Sequence, residues 1–245
     1  RVETTPGLRN DARDEAAGGQ VFVKAECLQT TGRFKIRGAV NRLSQMTADQ
    51  RAAGVVAFSS GNHAQGIARA ARVLGMPAVI VMPSDAPEIK AAGVRADGAE
   101  IRSYDRNTES REAIAAEIAA DRGAVVVPSC DDADISAGQG TAGLEFRAQL
   151  AERGTVLDHL ICCLGGGGLL SGLALAFEAG SPTTNIWGAE PEGHDDWARS
   201  LQAGEIVSNA PGTRSICDAI LTQAPGDMTW AIGARMWCSL NRRKH

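Results

Sequence analysis

Short apolar runs and longer helical runs take turns along this chain. Residues 21–24, 55–58, 78–81, 101–104, 124–127, 160–163 and 186–189 are short, mostly apolar and β-prone, and they read as strands. Residues 38–45, 62–74, 108–122, 140–153 and 169–179 read as helices, and a further helix opens near Pro87. Gly75 and Pro77 close the helix at 62–74. Strand and helix in alternation predict an α/β protein whose parallel sheets are covered by helices on both faces. Ligands of such sheets sit beyond the carboxyl ends of strands, so the loops at 59–63, 165–168 and 190–196 are the places to look. The last stretch, GARMWCSLNRRKH at 233–245, carries no amphipathic pattern and is expected to be an atypical tail.

Composition narrows the class. Apolar residues make up 44% and charged residues 22%, which excludes a disordered chain, a collagen and a coiled coil. Glycine is in excess, 28 of 245 residues, and there are ten aromatics. Small residues let helices and loops approach a sheet closely. The net charge of −4 comes without a basic block, so no nucleic-acid footprint is expected. Apolar runs are too short for a membrane helix, and the N-terminus lacks a signal-peptide pattern. A cytoplasmic protein with reduced core thiols is the expectation for the six cysteines, Cys27, Cys130, Cys162, Cys163, Cys217 and Cys238. Only four of the 25 basic residues are lysines: Lys24, Lys35, Lys90 and Lys244. Chemistry that needs a lysine amine therefore has four candidates.

Three segments carry that chemistry. In LICCLGGGGLLS, at 160–171, an apolar strand runs into Gly165, Gly166, Gly167 and Gly168 and then a helix. Without Cβ atoms, successive N–H groups can converge on an anion at the positive end of the helix dipole. A phosphate cup is favoured over a plain flexible turn. The dinucleotide spacing fails here. It occurs at Gly138, Gly140 and Gly143, but no clean strand precedes that match, which is read as accidental. In FSSGNHAQ, at 58–65, Ser59, Ser60, Gly61, Asn62 and His63 end a strand and open a helix. Amides there could hold a carboxylate. The plainer alternative is a helix cap with His63 on the surface. In TTGRFKIRGA, at 30–39, Lys35 sits between Phe34 and Ile36. Burial beside apolar groups lowers an amine's pKa and makes it a nucleophile for carbonyls. The alternative is a snorkelling surface lysine. Glu190 and Asp196 offer two hard oxygens after a strand, suited to Mg²⁺ or Ca²⁺, although ordinary loop acids are the simpler reading.

A lysine nucleophile, a phosphate cup and a carboxylate loop together point to pyridoxal phosphate. The motifs VFVKAECLQTTGRFKIRGA, SSGNHAQG, AGQGT, GGGGLLSG and GAEP also resemble one family from about residue 5 to 230. They look like the serine/threonine dehydratases and serine racemases, pyridoxal-phosphate enzymes of fold type II. The resemblance implies two parallel-sheet, three-layer αβα domains with the cofactor in the cleft. Residues 54–130 would form a small substrate-binding domain, and 1–53 plus 131–232 a large, incomplete cofactor domain. It implies that Lys35 is the Schiff-base lysine and that Phe34 packs on the pyridine ring. Asn62 would bond the ring's 3′ oxygen, and the four glycines the phosphate. Ser59, Ser60, Gly61 and His63 would surround the substrate carboxylate. A divalent cation would sit on Glu190, the carbonyl of His194 and Asp196. The implied reaction converts L-threonine or L-serine to a 2-oxo acid and ammonia, with Lys35 removing the α-proton.

Two alternatives stand beside it. Ser60 as a base on the other ring face would make a serine racemase. An inactive remnant, truncated at its C-terminus, is the other, because relatives continue for roughly another domain's worth of elements. If complete, a homo-oligomer is expected. Arg33 departs from the pattern, where serine is usual, and would either pair with the phosphate or block the pocket. The segment SCDDAD, at 129–134, reads one residue longer than usual.

Overall fold

The computed structural model describes residues 2–59, 61–213 and 215–237. In chain order the elements are β1 (Gly7–Arg9), α1 (Asp11–Ala17), β2 (Phe22–Lys24), α2 (Lys35–Ser44), α3 (Ala48–Ala53), β3 (Val55–Phe58), α4 (Asn62–Leu74), β4 (Ala78–Pro83), α5 (Glu88–Ala96), β5 (Glu100–Tyr104), α6 (Arg111–Arg122), β6 (Val125–Val126), α7 (Ala133–Ala151), β7 (His159–Cys163), α8 (Gly168–Glu178), β8 (Asn185–Ala189), α9 (Asp196–Ala203) and α10 (Asp227–Trp237).

Four strands form a parallel sheet in the order β5-β4-β3-β6. The two inner strands, VVAF and AVIVMP, are almost wholly buried, as a parallel sheet covered on both faces requires. Val55 and Ala57 of β3 and Ile80 and Met82 of β4 face α2, α4 and α5, where Ile36, Leu43, Ile67 and Val94 complete one core. Val56, Val79 and Val81 turn the other way, onto Ala115 and Ala119 of α6. The period-two alternation thus feeds two helical layers from one sheet. β5 is an edge strand, and its solvent-facing residues include Glu100 and Arg102, which discourage pairing with another chain.

Caps fix the helices. Asp132 accepts from Ile135 N at 2.9 Å and Ser110 from Ala113 N at 3.2 Å. Gly75 and Gly123 end α4 and α6 in the left-handed region.

The second sheet pairs β7 with β8 in parallel and packs Leu160, Cys162 and Ile186 on Phe146 of α7 and Leu173 and Phe177 of α8. Its other face carries Ile161, 72% exposed, and Trp187, so among the described residues this sheet has helices on one face only. A third, antiparallel pair, β1–β2, has no counterpart in the strand reading beyond 21–24; β1 is too short to show a period. Arg37 is fully buried and ties the parts together: it donates to Glu26 at 2.7 and 2.8 Å and to Glu145 at 2.7 and 2.8 Å. Burial opposes its charge, but those two carboxylates outweigh the cost and hold its pKa above the usual value.

Three expectations are corrected. The helix expected at 140–153 starts at Ala133, so Gly138, Gly140 and Gly143 lie inside it. They serve helix packing: a Cβ at Gly138 would lie 2.6 Å from Gly38 Cα, and one at Gly140 2.8 Å from Gly172 O. Of the tail expected at 233–245, residues 233–237 instead continue α10, where Trp230 and Met236 pack on the second core and Arg235 pairs with Glu178 at 2.9 Å, and 238–245 lie outside the described residues. The cysteines are not uniformly core thiols. Cys162 is buried, Cys130 is intermediate, and Cys27, Cys163 and Cys217 are exposed. Strand alternation sends Cys162 inward and Cys163 outward. Cys238 lies outside the described residues.

Candidate active site

Lys35 is the first residue of α2, directly behind Phe34, which holds helical angles but has no side-chain cap. Its ammonium lies 5.4 Å from the Phe34 ring centre and donates to the Ser129 carbonyl at 2.6 Å. Burial pushes the amine below the ordinary lysine range, against a smaller opposing pull from Cys130 and Cys163. Lys35 is no snorkelling surface lysine.

A cavity of about 320 Å³ opens onto this amine. Arg33, Phe34, Asn62 and Cys163 line it, together with Gly165, Gly166, Gly167 and Gly168 and with Ile220 and Thr222 from the segment before α10. The carbonyls of the glycine loop are tied into the protein. Gly165 O accepts from Trp197 Nε1 at 2.6 Å, Gly166 O from Thr229 Oγ1 at 2.7 Å, and Gly167 O from Ser171 N at 2.8 Å. The N–H groups of Gly165, Gly166 and Gly167 make no hydrogen bond among the described residues. Gly167 holds φ +91°, and a Cβ there would lie 2.5 Å from Trp197 Cζ2. Only glycine fits that position. Free amides ahead of α8, with its dipole behind them, make an anion cup. Thr222 Oγ1, on the same wall, is a buried hydroxyl without a partner among the described residues, a further donor for a polar guest.

A smaller cavity of about 120 Å³ shares Lys35, Asn62 and Ser129 and adds Ser59, Gly61, His63, Lys90 and Asp218. Gly61 N donates to Ser59 Oγ at 3.1 Å, turning the chain into α4. Ser60 lies outside the described residues. His63 is buried, not a surface residue, and its Nε2–H donates to Val127 O at 2.9 Å. Burial, helped by the Lys35 charge, lowers its pKa to about 3 and keeps the ring neutral. Asn62 is met by Arg33, whose Nη1 donates to Asn62 Oδ1 at 2.6 Å.

The carboxylate pair lies elsewhere. Glu190 accepts from Trp197 N and Ala198 N, both at 3.0 Å, and so caps α9. Asp196 Oδ1 accepts from Asn209 at 2.7 Å, while its buried Oδ2 has no partner among the described residues. His194 Nε2 lies 3.3 Å from Thr213 O. Desolvation raises Glu190 to about 7 and also raises Asp196. Among the described residues no three His, Cys, Asp or Glu side chains are grouped to hold a metal ion.

The sequence reading missed Ser129, Thr222 and Ile220. Ser129 follows β6 and could have been flagged as a loop beyond a strand end; the other two sit in a stretch without periodicity. A larger cavity, about 510 Å³, is lined by Leu144, Arg147, Leu150, Val156, Phe177 and Ser181 and holds no lysine, cysteine or histidine among the described residues.

Comparison with known proteins agrees with this geometry. Residues 1–236 match the family described as "Pyridoxal-phosphate dependent enzyme". The chain is 52% identical over 229 residues to an L-threo-3-hydroxyaspartate ammonia-lyase of Pseudomonas sp, covering 93% of this chain and 70% of that one. It is 44% identical to a serine racemase of Schizosaccharomyces pombe, covering 93% and 69%. The structure superposes on maize serine racemase with a TM-score of 0.91 at 39% identity, covering 96% of this chain and 70% of that one. With Lys35 and the glycine amides on one cavity wall, these matches place the chain among the fold type II pyridoxal-phosphate-dependent enzymes, in the group of ammonia-lyases, serine racemases and threonine dehydratases.

Proposed function

We propose that this chain eliminates water from a β-hydroxy amino acid such as L-serine or L-threonine and releases a 2-oxo acid and ammonia. The observation that carries the reading is the Lys35 amine: desolvated, bonded to one carbonyl, and on the wall of the cavity that holds the free glycine amides. The residues present fit pyridoxal phosphate. The amides of Gly165, Gly166, Gly167 and Gly168 would hold its phosphate, with Thr222 Oγ1 a further donor. Phe34 would pack against its ring, and Asn62 would face the 3′ oxygen. Bound there, the cofactor supplies an electron sink for the carbanion that forms when the α-proton leaves. Lys35, its pKa lowered by burial, takes that proton. Ser59 and Gly61, at the N-terminus of α4 and backed by His63, would receive the substrate carboxylate.

The likeness to a serine racemase favours a second reading. There Ser60 would return a proton to the opposite face. One assay separates the readings. The protein is incubated with cofactor, and its absorbance, ammonia, 2-oxo acid and D-serine are measured. We expect a cofactor band and oxo acid in excess of D-serine, both lost in Lys35→Ala. D-serine in excess would make it a racemase, and no band would make it an inactive remnant.

The same reading divides the chain into a small unit, 54–130, and a larger one, 1–53 plus 131–232. The sheet β5-β4-β3-β6 supports this, although its core borrows Ile36 and Leu43 of α2. A divalent cation beside Glu190, Asp196 and the His194 carbonyl is part of the proposal, because it would satisfy Asp196 Oδ2 and offset the raised carboxyls. Mg²⁺ or Ca²⁺ at pH 8 should then raise the melting temperature and a chelator reverse it. No change would leave Glu190 as a helix cap alone.

A further inference from the structure

We propose that Arg33 selects a substrate with a second carboxylate: a β-hydroxy amino acid whose side chain itself ends in a carboxylate. The inference rests on the elimination reading and names its substrate class. It starts from the charges that line the two adjoining cavities, Glu26, Arg33 and Lys35 in one and Lys35, Lys90 and Asp218 in the other. Glu26 is already bound to Arg37 at 2.7 Å. Lys90 is bound to Asp218 at 3.0 Å. His63 is neutral, and Lys35 is committed to the cofactor. That leaves Arg33. Its guanidinium is partly buried and donates from Nη1 to a neutral amide oxygen, Asn62 Oδ1; among the described residues no carboxylate pairs with it.

A permanently charged, part-buried guanidinium facing a cavity calls for an anion. The cofactor phosphate has its own cup in the glycine amides. Arg33 holds Asn62, the residue directly after Gly61, so it stands beside the loop that would receive the α-carboxylate. Arg33 lines the cofactor cavity, which shares Lys35, Asn62 and Ser129 with the substrate cavity, so a substrate side chain directed across Asn62 would meet the fork of Arg33. A carboxylate at that end gains a charge-assisted hydrogen bond, whereas the methyl of threonine or the hydrogen of serine gains none. The relative with 52% identity is named for a substrate of this class, L-threo-3-hydroxyaspartate.

The test uses the cofactor-loaded protein. L-aspartate and L-alanine, which share the α-carboxylate and lack the β-hydroxyl, are titrated by absorbance, and turnover is compared for L-threo-3-hydroxyaspartate and L-serine. We expect L-aspartate to bind about 10–100-fold more tightly than L-alanine, and kcat/KM to favour the dicarboxylate by a similar factor. Arg33→Gln, which keeps a donor for Asn62, should abolish both preferences, and Arg33→Lys should keep part of them. The inference is overturned if the wild type shows no preference, or if Arg33→Gln keeps it. It is also overturned if the substitution weakens cofactor binding and leaves the preference intact, since Arg33 would then serve the phosphate. L-serine elimination without a dicarboxylate preference sinks this inference alone. Absence of any Lys35-dependent cofactor band takes the elimination reading down with it.

Discussion

His63 opens α4 as a ligand-capable residue, yet it is 3% exposed and spends its N–H on the Val127 carbonyl. Its folded pKa of about 3 lies below the unfolded value near 6.5, so the unfolded chain binds the extra proton first. The stability from a neutral His63 is therefore complete above pH 6.5 and is lost as pH falls towards 3. Between pH 7.5 and pH 5 this amounts to about 2 kcal/mol. Denaturant midpoints at the two pH values should show that loss in the wild type and a smaller one in His63→Gln, which retains an N–H for Val127. Lys35 was legible in the sequence because four lysines left few candidates and its neighbours are apolar. Phe34 and the four glycines followed from adjacency. Ser129 contributes a backbone carbonyl, so only its place after a strand end could have marked it, and Thr222 gives a hydroxyl from an aperiodic stretch that leaves no mark in residue pattern.

At the scale of elements, α7 shows where periodicity misleads. Its segment AGQGTAG has three glycines, each costing helix propensity, and apolar positions all round, so its start read as loop. The structure uses the missing side chains to bring α7 against α2 and α8. Gly172 of α8 is the partner surface: a Cβ there would collide with Ser136 O and sit 2.6 Å from Gly140 N. Both are backbone atoms and cannot rotate away. Gly172→Ala should cost about 2 kcal/mol in chemical denaturation, a loss in the range of core overpacking. Gly75→Ala is the control for positive φ without crowding, since nothing lies within 4 Å of its Cβ position, and should cost less. The strands were read closely because β3 and β4 are apolar throughout. The sequence pattern opens this helix at Gly38, whereas α2 begins three residues earlier, at Lys35.

Across the whole molecule the two parallel sheets differ. One is closed by helices on both faces, and the other leaves Ile161 and Trp187 open among the described residues. An open apolar parallel face favours self-association. Ile161→Thr keeps a β-branched side chain and should change stability by no more than about 0.5 kcal/mol while lowering light scattering at high concentration. The α/β class was visible from the alternation of runs, but the coverage of each sheet was not, since a strand's pattern says only that a face is apolar. The cavity is also dispersed in sequence: its walls come from 26–27, 32–35, 62, 129–130, 163–170, 219–220 and 222. Its glycine loop is fastened from behind by Thr229, and Asp131 is held by the amides of Asp227 and Met228 at 3.2 and 2.9 Å. A chain emerging from the ribosome would complete its lysine-bearing helix long before the clasp that steadies the glycine loop. If the glycine loop holds the phosphate as proposed, cofactor retention is a late event of biosynthesis, and nascent chains arrested before Thr229 should release pyridoxal phosphate that chains extending past α10 keep.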